Sequence, residues 1–417
     1  MTIQVVNISI KIKVNIVSVI LCKFNLEMGD CILISSTYDF IVIGCGLAGA
    51  VISREIAERS NKKVLIIEKR NHIGGNTYDF FDEEGILVHK YGPHIFHTNN
   101  KRVFDYLSRF TKWLDYDHEV VANVYGNLMP VPFNLNSLYV AFEKEEAKKL
   151  EEKLIKKYGL NSKLTIAQLR EQTDIDLIKL SEYVYKNIFL YYTQKQWDIT
   201  PLEIDPSVIA RVPILISNDN RYFQDLYQGM PLEGYTKLFE SLLDHPNIDV
   251  QLNVDAKKLF NIRENKIMFK DNDFNGKVIF TGAIDEFFSC KFGRLPYRTL
   301  DFLFETHDLE WFQTKGTVNY TVSEKYTRIT EFKHLTGQKN KMKTTTVKEF
   351  PKAYTGADGE TPYYAILNDE NYLLYDKYKK LTEGLNNFYL LGRLAEYKYY
   401  NMDAIVLKAL ILADNII

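Results

Sequence analysis

The feature that most constrains this chain is a glycine pattern, Gly44-Cys45-Gly46-Leu47-Ala48-Gly49, directly behind the apolar run Tyr38-Asp39-Phe40-Ile41-Val42-Ile43. The run reads as a buried parallel strand. A helical pattern extends from Ala50 to Ser60, then a second strand from Lys63 to Ile67 that ends on Glu68. Each part has a physical task. Gly44 makes the tight turn, Gly46 lets backbone approach a pyrophosphate with Ala48 beside it, and Gly49 lets the helix lie close on the strand. The helix N-terminus offers unpaired N–H groups to phosphate. Glu68, 24 residues after Gly44, suits the adenine ribose hydroxyls. A glycine triplet alone is weak, but strand, loop, helix, strand and acid in series predict a dinucleotide-binding unit.

Composition narrows the class. Of 417 residues, 46% are apolar and 25% charged, which excludes disorder for most of the chain and favours two or three packed units. Lys+Arg 52 against Asp+Glu 54 gives a formal charge of −2, so a basic nucleic-acid binder is excluded. Cys22, Cys31, Cys45 and Cys290 have neither disulfide density nor metal-ligand spacing, which fits a reducing compartment and no metal. Aromatics at 13%, with 28 Tyr, suit a site that packs rings and sugars. Residues 1–37 read differently. Lys11 and Lys13 precede an apolar run from Val14 to Cys22, in the order of a signal peptide, but Asn15 and Ser18 interrupt it and no cleavage site comes after it. The run is also too short to span a bilayer. An appended tail, or a start extended upstream of Met28, is the preferred reading, and the expected location is cytoplasmic.

After Glu68 come Lys69-Arg70-Asn71-His72-Ile73-Gly74-Gly75-Asn76. This resembles the second glycine turn of the large FAD family that includes amine oxidases, where Gly74 and Gly75 let the chain pass close to the cofactor; a plain loop pair is the blander reading. FAD is therefore preferred over NAD. Further on stand Tyr91-Gly92-Pro93-His94-Ile95-Phe96-His97-Thr98, Lys195-Gln196-Trp197, Ala210-Arg211-Val212-Pro213, Asp219-Asn220-Arg221-Tyr222-Phe223, Tyr227-Gln228-Gly229-Met230-Pro231 and Tyr326-Thr327-Arg328-Ile329. Gly392-Arg393-Leu394-Ala395-Glu396-Tyr397 and Tyr399-Tyr400-Asn401-Met402-Asp403 close the series. In this order the motifs resemble the UDP-galactopyranose mutase family of the short prokaryotic type, from Tyr38 to Ile417, with residues 1–37 matching nothing in it.

The resemblance implies an α/β fold: a Rossmann-like FAD-binding domain assembled from 38–117, 233–292 and 367–417. A helical domain over 135–206 and an antiparallel sheet domain over 118–134 and 293–366 are inserted, and 207–232 is a mobile substrate loop linked to the sheet. The periodicity agrees in outline. Glu143 to Lys157 carries an apolar stripe of Ala147, Leu150, Leu154 and Ile155; Thr165 to Gln168 has capping-box form; Asp176 to Tyr192 keeps a helical period. From Lys315 to Tyr364 the texture favours strands. After Asn401, read as a helix cap, Met402, Ile405, Val406, Ala409, Leu410 and Ala413 form one continuous buried face.

By the same resemblance the protein is an isomerase. It would interconvert UDP-galactopyranose and UDP-galactofuranose through a covalent flavin N5–sugar adduct of reduced FAD, serving galactofuranose-containing glycans. Catalytic roles fall to Arg211, Arg328 and His97. Substrate contacts fall to His118, Tyr192, Thr193, Trp197, Arg211, Tyr222, Phe223, Asn319, Arg328, Tyr364 and Tyr399. Cofactor contacts fall to Gly44, Gly46, Ala48, Gly49, Glu68, Lys69, Gly75, Asn76, His94, Ile95, Ala256, Arg393, Met402, Asp403, Ala404 and Ile405. Paired guanidinium forks suit a leaving diphosphate better than lysines would. The polar stretch Ser217 to Arg221, poor in packing residues, reads as part of a moving lid. A separate flavin reductant is implied, relatives are often homodimers, and no membrane span is expected. The alternative function is an FAD-dependent oxidoreductase of the amine or porphyrinogen oxidase type, which shares the early signals.

Overall fold

The computed structural model describes residues 38–198, 212–264 and 266–417. Its centre is a five-stranded, wholly parallel sheet in the order Ile248–Gln251, Val64–Ile67, Phe40–Ile43, Lys277–Phe280 and Phe388–Leu390. The strands come from distant stretches of chain, so the sheet closes only when the whole polypeptide has folded back on itself. Every residue of Phe40–Ile43 and Val64–Ile67 is buried, as a parallel strand covered on both faces must be. The helix Leu47–Ser60 begins three residues before its apolar periodicity, because the glycine loop turns straight into the first helical turn. Gly49 makes that possible: a Cβ there would stand 2.0 Å from Gly44 O.

The helix Met402–Ile416 packs on Leu47–Ser60 through Val406, Ala409, Leu410 and Ala413. The expected buried face is thus correct at four positions, whereas Met402 and Ile405 remain part-exposed and line a cavity. Asn401 occupies the N-cap position, but its side chain makes no capping bond; this departs from the expected cap. Asp403 Oδ1 instead accepts from Ala404 N at 2.7 Å.

A seven-stranded sheet stands beside this core. It runs in the order Tyr364–Ala365, Tyr297–His307, Thr344–Ala353, Arg328–Glu331, Thr317–Tyr320, Val120–Val124 and Asn127–Val131. The expected antiparallel sheet holds except at one junction: Thr317–Tyr320 pairs in parallel with Val120–Val124. That junction joins two distant segments, which no hairpin could link. The register sets Arg328 directly opposite Glu349 on one side and Asn319 on the other.

The helical layer contains Lys144–Tyr158, which buries Ala147, Leu150 and Leu154, and Ile166–Arg170, whose Thr165–Gln168 capping box is formed on both sides. The long helix expected from Asp176 to Tyr192 is broken into three. Ile175–Val184 is α-helical, Tyr185–Leu190 is a π-helical turn, and Tyr191–Trp197 resumes the α form. A π turn inserts an extra residue and rotates the next stretch of helix about its axis, and such turns gather at functional sites. The rotated stretch carries Tyr192, Thr193, Gln196 and Trp197, all on one cavity wall.

Candidate functional site

Two cavities meet where the parallel sheet, the seven-stranded sheet and the helical layer converge. The first, about 310 Å³, lies over the C-terminal ends of the parallel strands, where open α/β sheets bind ligands. Gly44, Gly46, Ala48, Glu68, Lys69, Gly75, Asn76, His94, Ala256, Arg393, Met402 and Ile405 line it as expected. Four expected members do not. Gly49 is spent on helix packing, Asp403 Oδ2 accepts from Thr98 Oγ1 at 2.9 Å, and the Ala404 N–H is taken by Asp403. Ile95 belongs to the second cavity.

The two glycine turns abut. A Cβ on Gly75, whose φ is +55°, would lie 2.8 Å from Gly46 Cα, so backbone rather than side chain forms this wall. Glu68 is buried and holds the loop with its carboxylate, accepting from Cys45 N at 2.8 Å and Arg70 N at 2.9 Å. A carboxylate has about four acceptor sites, so capacity remains for ribose hydroxyls. Bare glycine backbone, a helix N-terminus and a buried acid fit a dinucleotide.

The second cavity, about 780 Å³, is lined by His97, His118, Tyr192, Thr193, Trp197, Tyr222, Phe223, Asn319, Arg328, Tyr364 and Tyr399, so every described residue expected there is present. Arg211 lies outside the described residues. Tyr364 and Tyr399 stack at 5.7 Å and 8°, with Trp197 tilted against both. Burial pushes the Tyr364 phenol up, so it stays a donor. His118 and His94 are held down to about 3, by burial first, and are neutral.

Pro93, His94, Arg328, Tyr364, Arg393 and Met402 line both cavities. Arg328, which the sequence assigns to catalysis and substrate binding but not to the cofactor, therefore also faces the cofactor side. Its Nε lies 3.0 Å from Glu349 Oε2, and Glu349 is 1% exposed. Burial pushes the Glu349 carboxyl up while the guanidinium beside it pulls it back. No hydrogen bond among the described residues engages the terminal nitrogens of Arg328, so its fork is available to an anion. Arg393 is pinned by the carbonyls of Tyr363 and Tyr400 and lies over the Tyr399 ring at 4.8 Å.

The stretch read as a loose lid is tied down in its described part. Asn134 Nδ2 donates to Asp219 O and Asn220 Oδ1, Asn136 Nδ2 to Asn218 O, and Arg221 forms a fork with Asp219. Polar residues here satisfy one another, which composition alone could not show. Sequence reasoning also missed four supports. Glu349 needed the strand register. Asp225, 2.7 Å from His97 Nδ1, has no motif signal. Arg298, 4% exposed, donates to Gln196 O and Lys195 O and so fastens the helix end that carries Trp197. Lys195 donates to the carbonyls of Tyr320, Glu324 and Tyr326, tying that helix to the turn before Arg328.

Fold and site together define a dinucleotide-binding α/β protein whose cofactor cavity opens onto a cavity rich in aromatic and guanidinium groups. Residues 42–110 match the family model described as an NAD(P)-binding Rossmann-like domain, and residues 187–399 match the one described as UDP-galactopyranose mutase. The chain belongs to the UDP-galactopyranose mutase family, a family of flavin-dependent enzymes. It is 36% identical to UDP-galactopyranose mutase of Mycoplasma genitalium over 406 residues, covering 96% of this chain and 100% of the relative. That coverage reaches upstream of Tyr38. It is 34% identical to the probable UDP-galactopyranose mutase of Klebsiella pneumoniae, over 90% of this chain and 94% of that one. It is 36% identical to dTDP-fucopyranose mutase of Escherichia coli, over 89% and 96%. A crystal structure of reduced UDP-galactopyranose mutase shares the fold at TM-score 0.61 and 15% identity, covering 91% of this chain and 94% of that one. A putative protoporphyrinogen oxidase from Exiguobacterium shares it at TM-score 0.58 and 11% identity, over 90% and 98%.

Proposed function

We propose that this protein interconverts UDP-galactopyranose and UDP-galactofuranose on reduced FAD, in the cytoplasm, to supply galactofuranose for glycan synthesis. The observation that carries the reading is the shared wall, where the unengaged guanidinium fork of Arg328 and the phenol of Tyr364, stacked on Tyr399 of the second cavity, border both cavities. A redox enzyme acting on an amine has no need of that arrangement.

FAD would be held by the abutting turns at Gly46 and Gly75, by Glu68, and by Arg393 at a strand end. Reduced flavin, when bound, supplies a nucleophilic N5 for the anomeric carbon of the sugar. The chain's own residues do the rest. Tyr192 and Trp197 give flat walls for the nucleobase, with Thr193 between them. Arg328, with Arg211, holds the diphosphate and stabilises charge as it leaves the sugar, the role that preorganised cations serve best in a site closed to water. Tyr364 and Tyr399 donate to phosphate oxygens from the opposite side. His118, Asn319 and His97 border the sugar, and the neutral state of His118 avoids a further fixed charge there.

The test uses dithionite-reduced protein, anaerobic UDP-galactofuranose and separation of products. Conversion by reduced but not oxidised protein is expected; net oxidation of a substrate would instead favour the oxidoreductase reading. Likeness to dTDP-fucopyranose mutase warrants a dTDP-sugar arm in the same assay, since the ring chemistry is shared and the differences lie in the nucleobase methyl, the ribose 2′-hydroxyl and C6.

A further inference from the structure

The ring of His97 lies on the cavity wall, 13% exposed, stacked on Phe223 at 3.6 Å and 10°. Stacking fixes the plane of the ring. Its Nδ1 stands 2.7 Å from Asp225 Oδ2. The other carboxylate oxygen, Oδ1, accepts from Asn99 Nδ2 at 2.5 Å. Asn99 is itself oriented, because its Oδ1 accepts from Leu226 N at 2.8 Å. A carboxylate has no proton to give, so both neighbours must donate to Asp225. Nδ1 therefore carries hydrogen, and in the neutral ring Nε2 is left as an acceptor. No hydrogen bond among the described residues engages Nε2.

We propose that Asp225 is a positioning residue: it locks His97 in the Nδ1–H tautomer so that Nε2 accepts a hydrogen bond from a sugar hydroxyl of the substrate. The proposal rests on the mutase reading for the identity of that hydroxyl, and on this geometry for the tautomer. An acceptor at this place selects a hydroxyl over a phosphate oxygen, which has only lone pairs to offer. It thereby separates the sugar end of the cavity from the diphosphate end at Arg328.

The arrangement makes an unusual demand on an isosteric variant. In Asp225→Asn, the pinned Asn99 Nδ2 requires the new carbonyl, so the new amide NH₂ must face Nδ1 and the proton must move to Nε2. A wrong tautomer in an intact fold is known to be costly in a hydrolytic triad. Here Nε2 would become a donor, so the sugar hydroxyl must turn a lone pair to the ring and its own proton loses its acceptor, and turnover should fall roughly 30- to 100-fold. Adding Asn99→Ala frees the amide to rotate, and should return the proton to Nδ1 and most of the turnover.

The experiment measures ¹⁵N shifts of the His97 ring, assigned by their loss in His97→Gln, in flavin-loaded protein, together with UDP affinity and turnover. Expected are an Nδ1–H tautomer in the unmutated protein, an Nε2–H tautomer with UDP affinity within about twofold in Asp225→Asn, and reversal in the double variant. An Nε2–H tautomer in the unmutated protein overturns the proposal, even if every variant fails to fold. So does unchanged turnover in Asp225→Asn, or a loss that Asn99→Ala does not relieve. Absence of mutase activity in the unmutated protein would defeat the proposed function alone, since the tautomer is read without turnover.

Discussion

Arg328 has two obligations, and they determine what its replacement will show. It offers an unengaged fork to an anion, and it neutralises the buried Glu349 carboxylate 3.0 Å away. Arg328→Ala fails at both, and leaving one member of a buried pair uncompensated costs about 3–5 kcal/mol of stability. Arg328→Lys keeps a charge beside Glu349 but loses the fork. We expect it to retain flavin and fold while turnover drops about 100-fold, the scale of one preorganised contact. The double variant Arg328→Ala with Glu349→Gln should regain most of the lost stability in urea unfolding without regaining turnover. Recovery of both would assign Arg328 a purely structural role. At this scale the motif residues were largely legible, because glycines, paired arginines and clustered tyrosines are informative in a single sequence. Their partners were not. Glu349 and Asp225 become visible only once the strand register and a turn set them against Arg328 and His97.

Between residue and molecule, two connections decide whether the cavities have the right shape. The first is the contact of the two glycine turns. Gly75→Ala would force a Cβ to 2.8 Å from Gly46 Cα in a left-handed conformation. We expect the ratio of bound flavin to protein, read by absorbance, to fall at least about fivefold, with far-UV dichroism unchanged, since a clash in this cradle costs at least about 1 kcal/mol. The second is the Arg298 clamp on the helix Tyr191–Trp197. Removing it in Arg298→Met loses bonds from a charged group to two helix-end carbonyls, worth about 1.5–3 kcal/mol each. UDP affinity by calorimetry should fall about tenfold or more as Trp197 loses its support, while flavin content holds; an unchanged affinity would show the helix end to be set by packing alone. Helices with clean periodicity were readable, Lys144–Tyr158 within a residue of both ends and Met402–Ile416 at its start. The π turn at Tyr185–Leu190 was not, because the apolar spacing across it still passes for one uninterrupted helix.

For the molecule as a whole, acidity is the lever on stability. Burial holds His89 at about 4 and His94 and His118 at about 3, against about 6.5 in an unfolded chain. Below about pH 6.5 the unfolded state therefore binds protons that the folded state refuses, so stability is full above that value and is lost as pH falls toward the folded-state values. These three sites should together cost about 5–6 kcal/mol of stability between pH 7 and pH 5, read by urea unfolding, and His89→Leu should remove about one third of that share. The class of fold was legible because one βαβ signature anchors it. The single parallel junction of the seven-stranded sheet was not, since strand texture carries no information on direction. The wall common to both cavities has a last consequence. Arg328, Tyr364 and Arg393 cannot be arranged for one ligand without being arranged for the other. Cofactor retention and nucleotide affinity are then thermodynamically reciprocal: whatever factor bound UDP adds to the grip on flavin, flavin adds to the grip on UDP. Protein dialysed with UDP should keep its flavin longer than protein dialysed without it, and the nucleotide pool of the cell thereby becomes a determinant of how much of this enzyme is loaded.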